Sequence, residues 1–184
     1  KITEKEVDER VDELLQAALS LPKQSREKKK ELEKQKEELH RSHHRLAQKA
    51  AEESMVLLKN EAEILPLTAG TRVAVIGDFA FEPRYQGVGS SSVNAISVEN
   101  VVEKISDTDL MVVGMERGYR RDGKADYNLE AQALELASKA EVILYFLGLG
   151  ETEESEGLDR KNFEIPQNQI SLLQKLTEKN PAIV

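Results

Sequence analysis

The chain of 184 residues is long enough for one domain with a helical extension, and its 39% of hydrophobic residues can form one core. It contains no cysteine, which excludes disulfide bonds, thiolate metal sites and a cysteine nucleophile. The net charge is −8, and the excess of acidic residues lies after residue 50. Lys and Arg are not clustered in that part of the chain, so we expect no nucleic-acid partner. There is no apolar run of bilayer length and no leading signal segment, so we expect no membrane partner and a cytoplasmic, bacterial location.

The first segment, residues 1–22, is predicted to form a helix. Thr3 and Glu6 have the spacing of a capping box, in which each side chain accepts a hydrogen bond from the other residue's backbone N–H. Apolar residues then recur on one helical face at Val7, Val11, Leu14 and Ala18. Pro22 is expected to end this helix, because proline cannot donate the hydrogen bond that a helix interior needs.

Residues 23–70 are predicted to be a charged helical connector. The pattern begins near Ser25 and reaches Leu57 and Leu58, and nearly every residue between 27 and 38 is charged or Gln. Such a stretch cannot bury a wide face, so we expect a solvated helix with charge pairs one turn apart.

Three histidines lie on this connector at positions 40, 43 and 44. His40 and His44 are four residues apart, as in a zinc-binding helix, but Arg41 stands where that motif has its general-base glutamate. We interpret these histidines as surface or interface residues and predict no metal site.

From residue 71 to 184 short apolar runs alternate with helical patterns. Strands are predicted at 72–77, 109–113 and 142–147, with a fourth beginning at 182–184. Helices are predicted after Ser97, between Leu129 and Ala140, and from Pro166. This alternation predicts an α/β fold, namely a partial αβα sandwich with a parallel sheet, preceded by the helical connector.

The first predicted strand ends in a glycine, Gly77, and a glycine follows each of the next two, at Gly114 and Gly148. Ligands of parallel α/β sheets bind at the carboxyl ends of the strands. We therefore expect functional residues in the three loops that follow these strands, 77–95, 114–127 and 148–165.

The third loop carries five carboxylates within nine residues, at Glu151, Glu153, Glu154, Glu156 and Asp159. Crowded carboxylates raise one another's pKa, and a carboxylic acid with a raised pKa can act as a general acid near neutral pH. An exposed acidic loop and a site for a hard cation remain alternatives. The loop lacks the alternating ligands and the glycine turn of an EF-hand.

The first loop is rich in glycine and serine between Tyr85 and Asn94. Its backbone and hydroxyl groups suit close contact with a polar ligand. It matches neither the dinucleotide fingerprint nor the P-loop, so a nucleotide-binding, flavodoxin-like domain stands only as a further alternative.

Two phrases of the sequence together resemble glycoside hydrolase family 3, the β-glucosidase type. The first is HRLAQKAAEESMVLLKN at residues 44–60, followed by LPL at 65–67, which is similar to the family's entry into its second domain. The second is ESEGLDR at 154–160, followed by Pro166 and Gln169, which is similar to the family's acid/base loop. The Gly/Ser loop lies between them where the family has a GxGSxxV segment.

The resemblance implies an active site shared by two domains. A barrel-like first domain supplies an aspartate nucleophile, and the α/β sandwich supplies an acid/base glutamate. Glu156 matches that glutamate, with Glu154 as the reserve candidate, and Ser90 matches a serine that reaches the bound sugar. Asp159 and Arg160 match a pair that we interpret as bracing the loop. The resemblance implies neither a cofactor nor a metal.

The implied function is retaining hydrolysis of terminal, non-reducing β-D-glucosides by a protein of which this chain is a piece. Its partners are then a β-glucoside or short β-linked oligosaccharide and the nucleophile-bearing barrel domain. We predict residues 1–22 to be the end of that first domain. An incomplete sheet exposes an edge, so we also expect self-association. The alternative is a non-catalytic interaction or cation-binding α/β module.

Overall fold

The computed structural model describes residues 2–20, 26–61, 63–151, 153–160 and 162–184, and the chain divides into two compact units, Lys1–Leu58 and Lys59–Val184. The first unit contains α1 (Glu4–Ser20) and α2 (Arg26–Ser54). The break predicted at Pro22 and the helix start predicted near Ser25 lie outside the described residues.

Helix α1 begins with the predicted capping box. The Thr3 N–H donates to Glu6 Oε2 at 2.8 Å, and the Glu6 N–H donates to Thr3 Oγ1 at 3.4 Å. The Thr3 N–H and the Thr3 hydroxyl both donate to Oε2 of Glu6, which stabilises the ionised form and lowers the pKa of Glu6. The apolar stripe of α1 is exposed, including Leu14 with 72% of its surface accessible.

Helix α2 is the solvated, charged helix that the sequence predicts. Its ion pairs lie one turn apart and are exposed, with Arg41 2.9 Å from Glu38 and Lys49 3.6 Å from Glu53. The predicted extension of this helix to Leu58 is wrong, because the helix ends at Ser54 and residues 55–58 are exposed and non-helical. An apolar helix face that no other surface covers adds little to the stability of a helix.

The second unit is a three-stranded parallel sheet in the order β2-β1-β3, with helices on both faces. This confirms the predicted α/β class. Its elements in chain order are β1 (Arg72–Ile76), α3 (Asp78–Phe81), α4 (Val101–Lys104), β2 (Met111–Glu116), α5 (Tyr127–Ala137), β3 (Val142–Tyr145) and α6 (Gln167–Lys179).

The core lies on both sides of the central strand β1, in which every residue from Val73 to Ile76 is buried. Ala74 and Ile76 pack with residues of α5 and α6, including Leu136 and Leu172. Val73 and Val75 point to the other face and pack with Ala80 and Ile105. A strand buried on both faces is a continuous apolar run, which is why its sequence does not alternate.

The second strand lies later in the chain than predicted, at 111–116 instead of 109–113. Gly114, expected to follow the strand, lies inside it. A side chain would not fit at this position, because a β-carbon there would lie 2.6 Å from Leu136 Cδ1. This glycine serves close packing of α5 on the sheet.

The bounds of several elements also differ from the sequence prediction, and β1, β3 and α5 each end before the predicted residue. Helix α4 is capped by Asn100, whose Oδ1 accepts from the Glu103 N–H at 2.8 Å, and not by Ser97. The helix therefore starts later than predicted, and asparagine is as good a cap as serine. The predicted fourth strand is a single bridge in which Ile183 pairs with Ile143, parallel to β3.

No helix within the described ranges has the length and apolar character needed to cross a membrane.

Candidate active site at the carboxyl edge of the sheet

The three predicted loops meet at the carboxyl edge of the sheet. Because β1 lies between β2 and β3, the loops that follow these strands are neighbours. The loop after β1 contacts the loop after β3 through the Glu156 N–H, which donates to the Val88 carbonyl at 3.3 Å. The loop after β2 joins them through Arg121, which binds Asp78 and Glu151.

Glu156 and Ser90, the two residues predicted to act on a sugar, are in direct contact. Oε2 of Glu156 accepts from the Ser90 N–H at 2.6 Å and from the Ser90 hydroxyl at 2.5 Å. Both side chains are exposed to solvent. The sequence predicted both residues for the site but did not predict that they bind each other.

This contact reverses the pKa shift expected for the acidic loop. The Ser90 hydroxyl and then its N–H stabilise the carboxylate, so they hold the pKa of Glu156 below its ordinary value. The expectation of a raised pKa from crowding is therefore wrong for Glu156 in this chain. The reason is that hydrogen-bond donors contact this carboxyl directly, whereas exposed neighbouring charges are screened by water.

Arg84 holds the acidic loop after β3, a role that sequence reasoning missed. Its guanidinium donates to the carbonyls of Glu154 at 2.8 Å and Leu149 at 3.4 Å, and it lies 3.6 Å from Glu154 Oε2. The side chain is only 18% exposed. A lone cation in the loop after β1, facing an acidic loop, was the available signal.

A buried carboxylate supports the base of all three loops, and it was also missed. Asp78, 7% exposed, follows β1 and accepts hydrogen bonds from Arg117 and from Arg121 Nε, the latter at 2.7 Å. Arg121 also donates to Glu151 Oε1 at 3.2 Å. The signal was an Asp directly after a buried strand, with three arginines in the next loop.

The remaining predicted residues lie around an open cleft of about 510 Å³. Asp159 and Arg160 line this cleft with Ser90, Glu156 and Arg84. The guanidinium of Arg160 lies over the ring of Phe163, 5.6 Å from its centroid, and Phe163 is 96% exposed. Arg84 and Arg121 are among the residues that fix the loop to the domain, and the bracing role of Asp159 and Arg160 stays a prediction.

Metal-binding groups do not assemble in the described part of the chain, where no cluster of three or more His, Asp or Glu side chains is placed to hold an ion. His43 and His44 are exposed on α2. In the acidic loop, Arg84 and Arg121 neutralise Glu154 and Glu151, which opposes a second cation there.

Comparison with known proteins decides the family. Residues 55–184, most of the chain, match the glycosyl hydrolase family 3 C-terminal domain. The chain belongs to glycosyl hydrolase family 3. The matched segment contains the whole α/β unit, including Ser90 and Glu156, and leaves out the helices α1 and α2.

Two family 3 relatives illustrate the range of named activities. The exo-alpha-(1->6)-L-arabinopyranosidase of Bifidobacterium breve is 40% identical over 149 residues, 76% of this chain and 20% of that protein. Thermostable beta-glucosidase B of Acetivibrio thermocellus is 40% identical over 142 residues, 76% of this chain and 19% of that protein.

A solved structure of the family has the same fold. The family 3 beta-glucosidase of Bifidobacterium adolescentis matches with a TM-score of 0.71 and 42% identity, over 77% of this chain and 21% of that one. The chain thus spans about a fifth of the length of these family 3 relatives.

Proposed function

We propose that this chain supplies the general acid/base, Glu156, of a retaining β-glycoside hydrolase. The observation that carries the proposal is the position of Glu156, an exposed carboxyl at the carboxyl edge of the sheet beside an open cleft. Membership of a glycoside hydrolase family supports the reaction class. The nucleophile, an aspartate, belongs to a domain outside this chain.

The contacts of the loop favour Glu156 over the neighbouring carboxylates. Glu154 lies against the Arg84 guanidinium, and Glu151 against that of Arg121. An arginine partner occupies the oxygens of a carboxylate, which suits bracing and not proton donation. Glu153 turns one oxygen, Oε2, into the protein, where it is buried. Glu156 contacts a neutral serine and faces solvent, so it can reach a substrate.

The proposed reaction has two steps in which Glu156 changes role. Protonated Glu156 gives its proton to the glycosidic oxygen as the bond from that oxygen to the anomeric carbon breaks and the aspartate bonds to the same carbon. Ionised Glu156 then takes a proton from water as the water oxygen bonds to the anomeric carbon and the aspartate leaves. The configuration at the anomeric carbon is retained because it inverts twice.

For the substrate we propose a terminal, non-reducing β-D-glucoside. The named β-glucosidases of Acetivibrio thermocellus and Bifidobacterium adolescentis support glucose, whereas the named arabinopyranosidase supports a pentose in the same family. A panel of aryl glycosides separates these possibilities. The highest kcat/KM on the β-glucoside is expected, and preference for the α-L-arabinopyranoside would correct the sugar while leaving the role of Glu156 intact.

The test compares Glu156→Gln with Glu154→Gln in the longer protein that we propose contains this chain. Loss of a general acid lowers the rate by about 10²–10⁴-fold, most with poor leaving groups. We expect this loss in Glu156→Gln and a much smaller one in Glu154→Gln. Unchanged hydrolysis by Glu156→Gln would overturn the proposal and favour the non-catalytic interaction module. This chain alone is expected to release no nitrophenol from an aryl β-glucoside, because it lacks the nucleophile.

A further inference from the structure

Ser90 presents two donors to a single oxygen of Glu156. Its N–H and its hydroxyl lie 2.6 and 2.5 Å from Oε2, and the loop that brings them carries no charged side chain from Gly87 to Ser92. A backbone N–H can only donate, so it favours an ionised carboxyl over a protonated one. The hydroxyl donates here as well, and thus both contacts favour the same form.

We propose that Ser90 is a positioning residue: it holds Oε2 of Glu156, which orients the carboxylate for the base step, and it disfavours the protonated form that the acid step needs. The inference rests on the proposed function of Glu156. Glycosylation needs the protonated carboxyl, and deglycosylation needs the carboxylate that Ser90 stabilises. The lowered pKa of Glu156 agrees with this geometry.

Other charges face the same carboxyl and must be held constant in any test. Arg84, from the loop after β1, favours the ionised form of Glu156. Glu154 and Asp159 of the acid/base loop favour the protonated form, and Arg160 of that loop opposes them. Substitutions at position 90 leave these four side chains in place, so a change in titration reports on Ser90.

The first experiment is a carbon-13 NMR titration of the Glu156 carboxyl in this chain, with the signal assigned by its disappearance in Glu156→Gln. Ser90→Ala is expected to shift the midpoint upward, because one donor to the carboxylate is lost. Ser90→Thr keeps a hydroxyl and is expected to restore the midpoint. Ser92→Ala, in the same loop, is the control and is expected to leave it unchanged. No shift in Ser90→Ala would overturn the inference.

The second experiment measures both steps in the longer protein. In Ser90→Ala the alkaline limb of kcat/KM, which reports the acid form of Glu156, is expected to move to higher pH. The kcat for an activated aryl glucoside, limited by deglycosylation, is expected to fall about tenfold, because the carboxylate that takes the proton from water loses a contact that orients it. If kcat and kcat/KM fall equally and the alkaline limb stays at the same pH, the role of Ser90 is merely structural and the inference is overturned.

The two experiments separate the inference from the function on which it rests. Full activity in Glu156→Gln overturns both, even if the NMR midpoint shifts in Ser90→Ala. Loss of activity in Glu156→Gln, with no change of titration or pH limb in Ser90→Ala, overturns the inference alone.

Discussion

Gly89 lies so close to Glu156 that a β-carbon at position 89 would be 2.6 Å from Oε2 and 2.8 Å from Cβ of the glutamate. The backbone of Gly89 has a φ of 98°, a region that side-chain-bearing residues rarely adopt. Both facts require glycine where the Gly/Ser loop meets the acid/base loop. The position of Glu156 therefore depends on a residue with no side chain of its own.

Gly89→Ala is expected to displace Glu156 and reduce hydrolysis in the longer protein about 100-fold, the cost of misplacing a catalytic group by about 1 Å. Gly123→Ala is the matched control. Gly123 also has a positive φ, 77°, but no atom lies within 4 Å of its added β-carbon. The two variants share backbone strain and differ in the clash. Equal loss of kcat/KM in both would show that strain, and not the clash with Glu156, explains the effect.

Asp78→Asn is expected to destabilise the α/β unit by about 2 kcal/mol. The change removes a buried charge and leaves Arg117 and Arg121 with their exposed partners Glu82 and Glu151, and solvent offsets part of the loss because both arginines are partly exposed. Urea unfolding of this chain measures the difference. Asp122→Asn breaks an exposed pair with Arg120 and is expected to change the midpoint little. Similar midpoints for the two variants would contradict the role of Asp78.

Gln169→Leu tests how the start of the acid/base loop is held. The buried amide of Gln169 accepts from the Gly148 N–H and donates to the Gly148 carbonyl, both at 2.9 Å. Leucine leaves both backbone groups unpaired, so the expected loss of unfolding free energy is about 2–4 kcal/mol. Gln174→Leu, on the exposed face of α6, is the control and is expected to change stability by less than about 0.5 kcal/mol. A loss of that small size in Gln169→Leu would refute the account.

Alkaline pH is expected to unfold the α/β unit through two buried tyrosines. Burial raises the pKa of Tyr119 and of Tyr145 well above the ordinary value. Their contribution to stability is complete below the pKa of an unfolded tyrosine, about 10, and is lost as the pH rises toward the folded values. Ultraviolet absorbance of phenolate should thus show a late phase that coincides with loss of circular dichroism. The urea-unfolded chain is the control, and a late phase that persists there would contradict burial as the cause.

The sheet could be predicted from sequence because its strands are buried on both faces and form continuous apolar runs. The bounds of β2 could not, since Gly114 has the appearance of a strand end and its packing against Leu136 depends on tertiary structure. The end of α2 was missed for a related reason. Leucines at helical spacing are a weak signal where nothing covers them: α1 is helical with its apolar stripe exposed, whereas Leu57 and Leu58 are exposed and non-helical.

For the site, the topology was more informative than the individual residues. Loops that follow neighbouring parallel strands share one edge of the sheet, which brings Ser90 into contact with Glu156, 66 residues later in the chain. The pKa direction of Glu156 could not be predicted from composition, because it depends on which donor contacts the carboxyl. Arg84 was missed because it holds the loop through backbone carbonyls, so the lone cation in its loop did not indicate which groups it binds.

Azide rescue of Glu156→Ala in the longer protein tests the central claim most directly. Alanine leaves a space beside the glycosyl-enzyme in which a small anion can attack without base catalysis, so azide needs no proton acceptor. With an activated aryl β-glucoside, the account predicts that azide restores turnover and that the product is the β-glucosyl azide, with retained configuration. The same rescue in Glu154→Ala, with none in Glu156→Ala, would contradict the assignment of Glu156 as the acid/base.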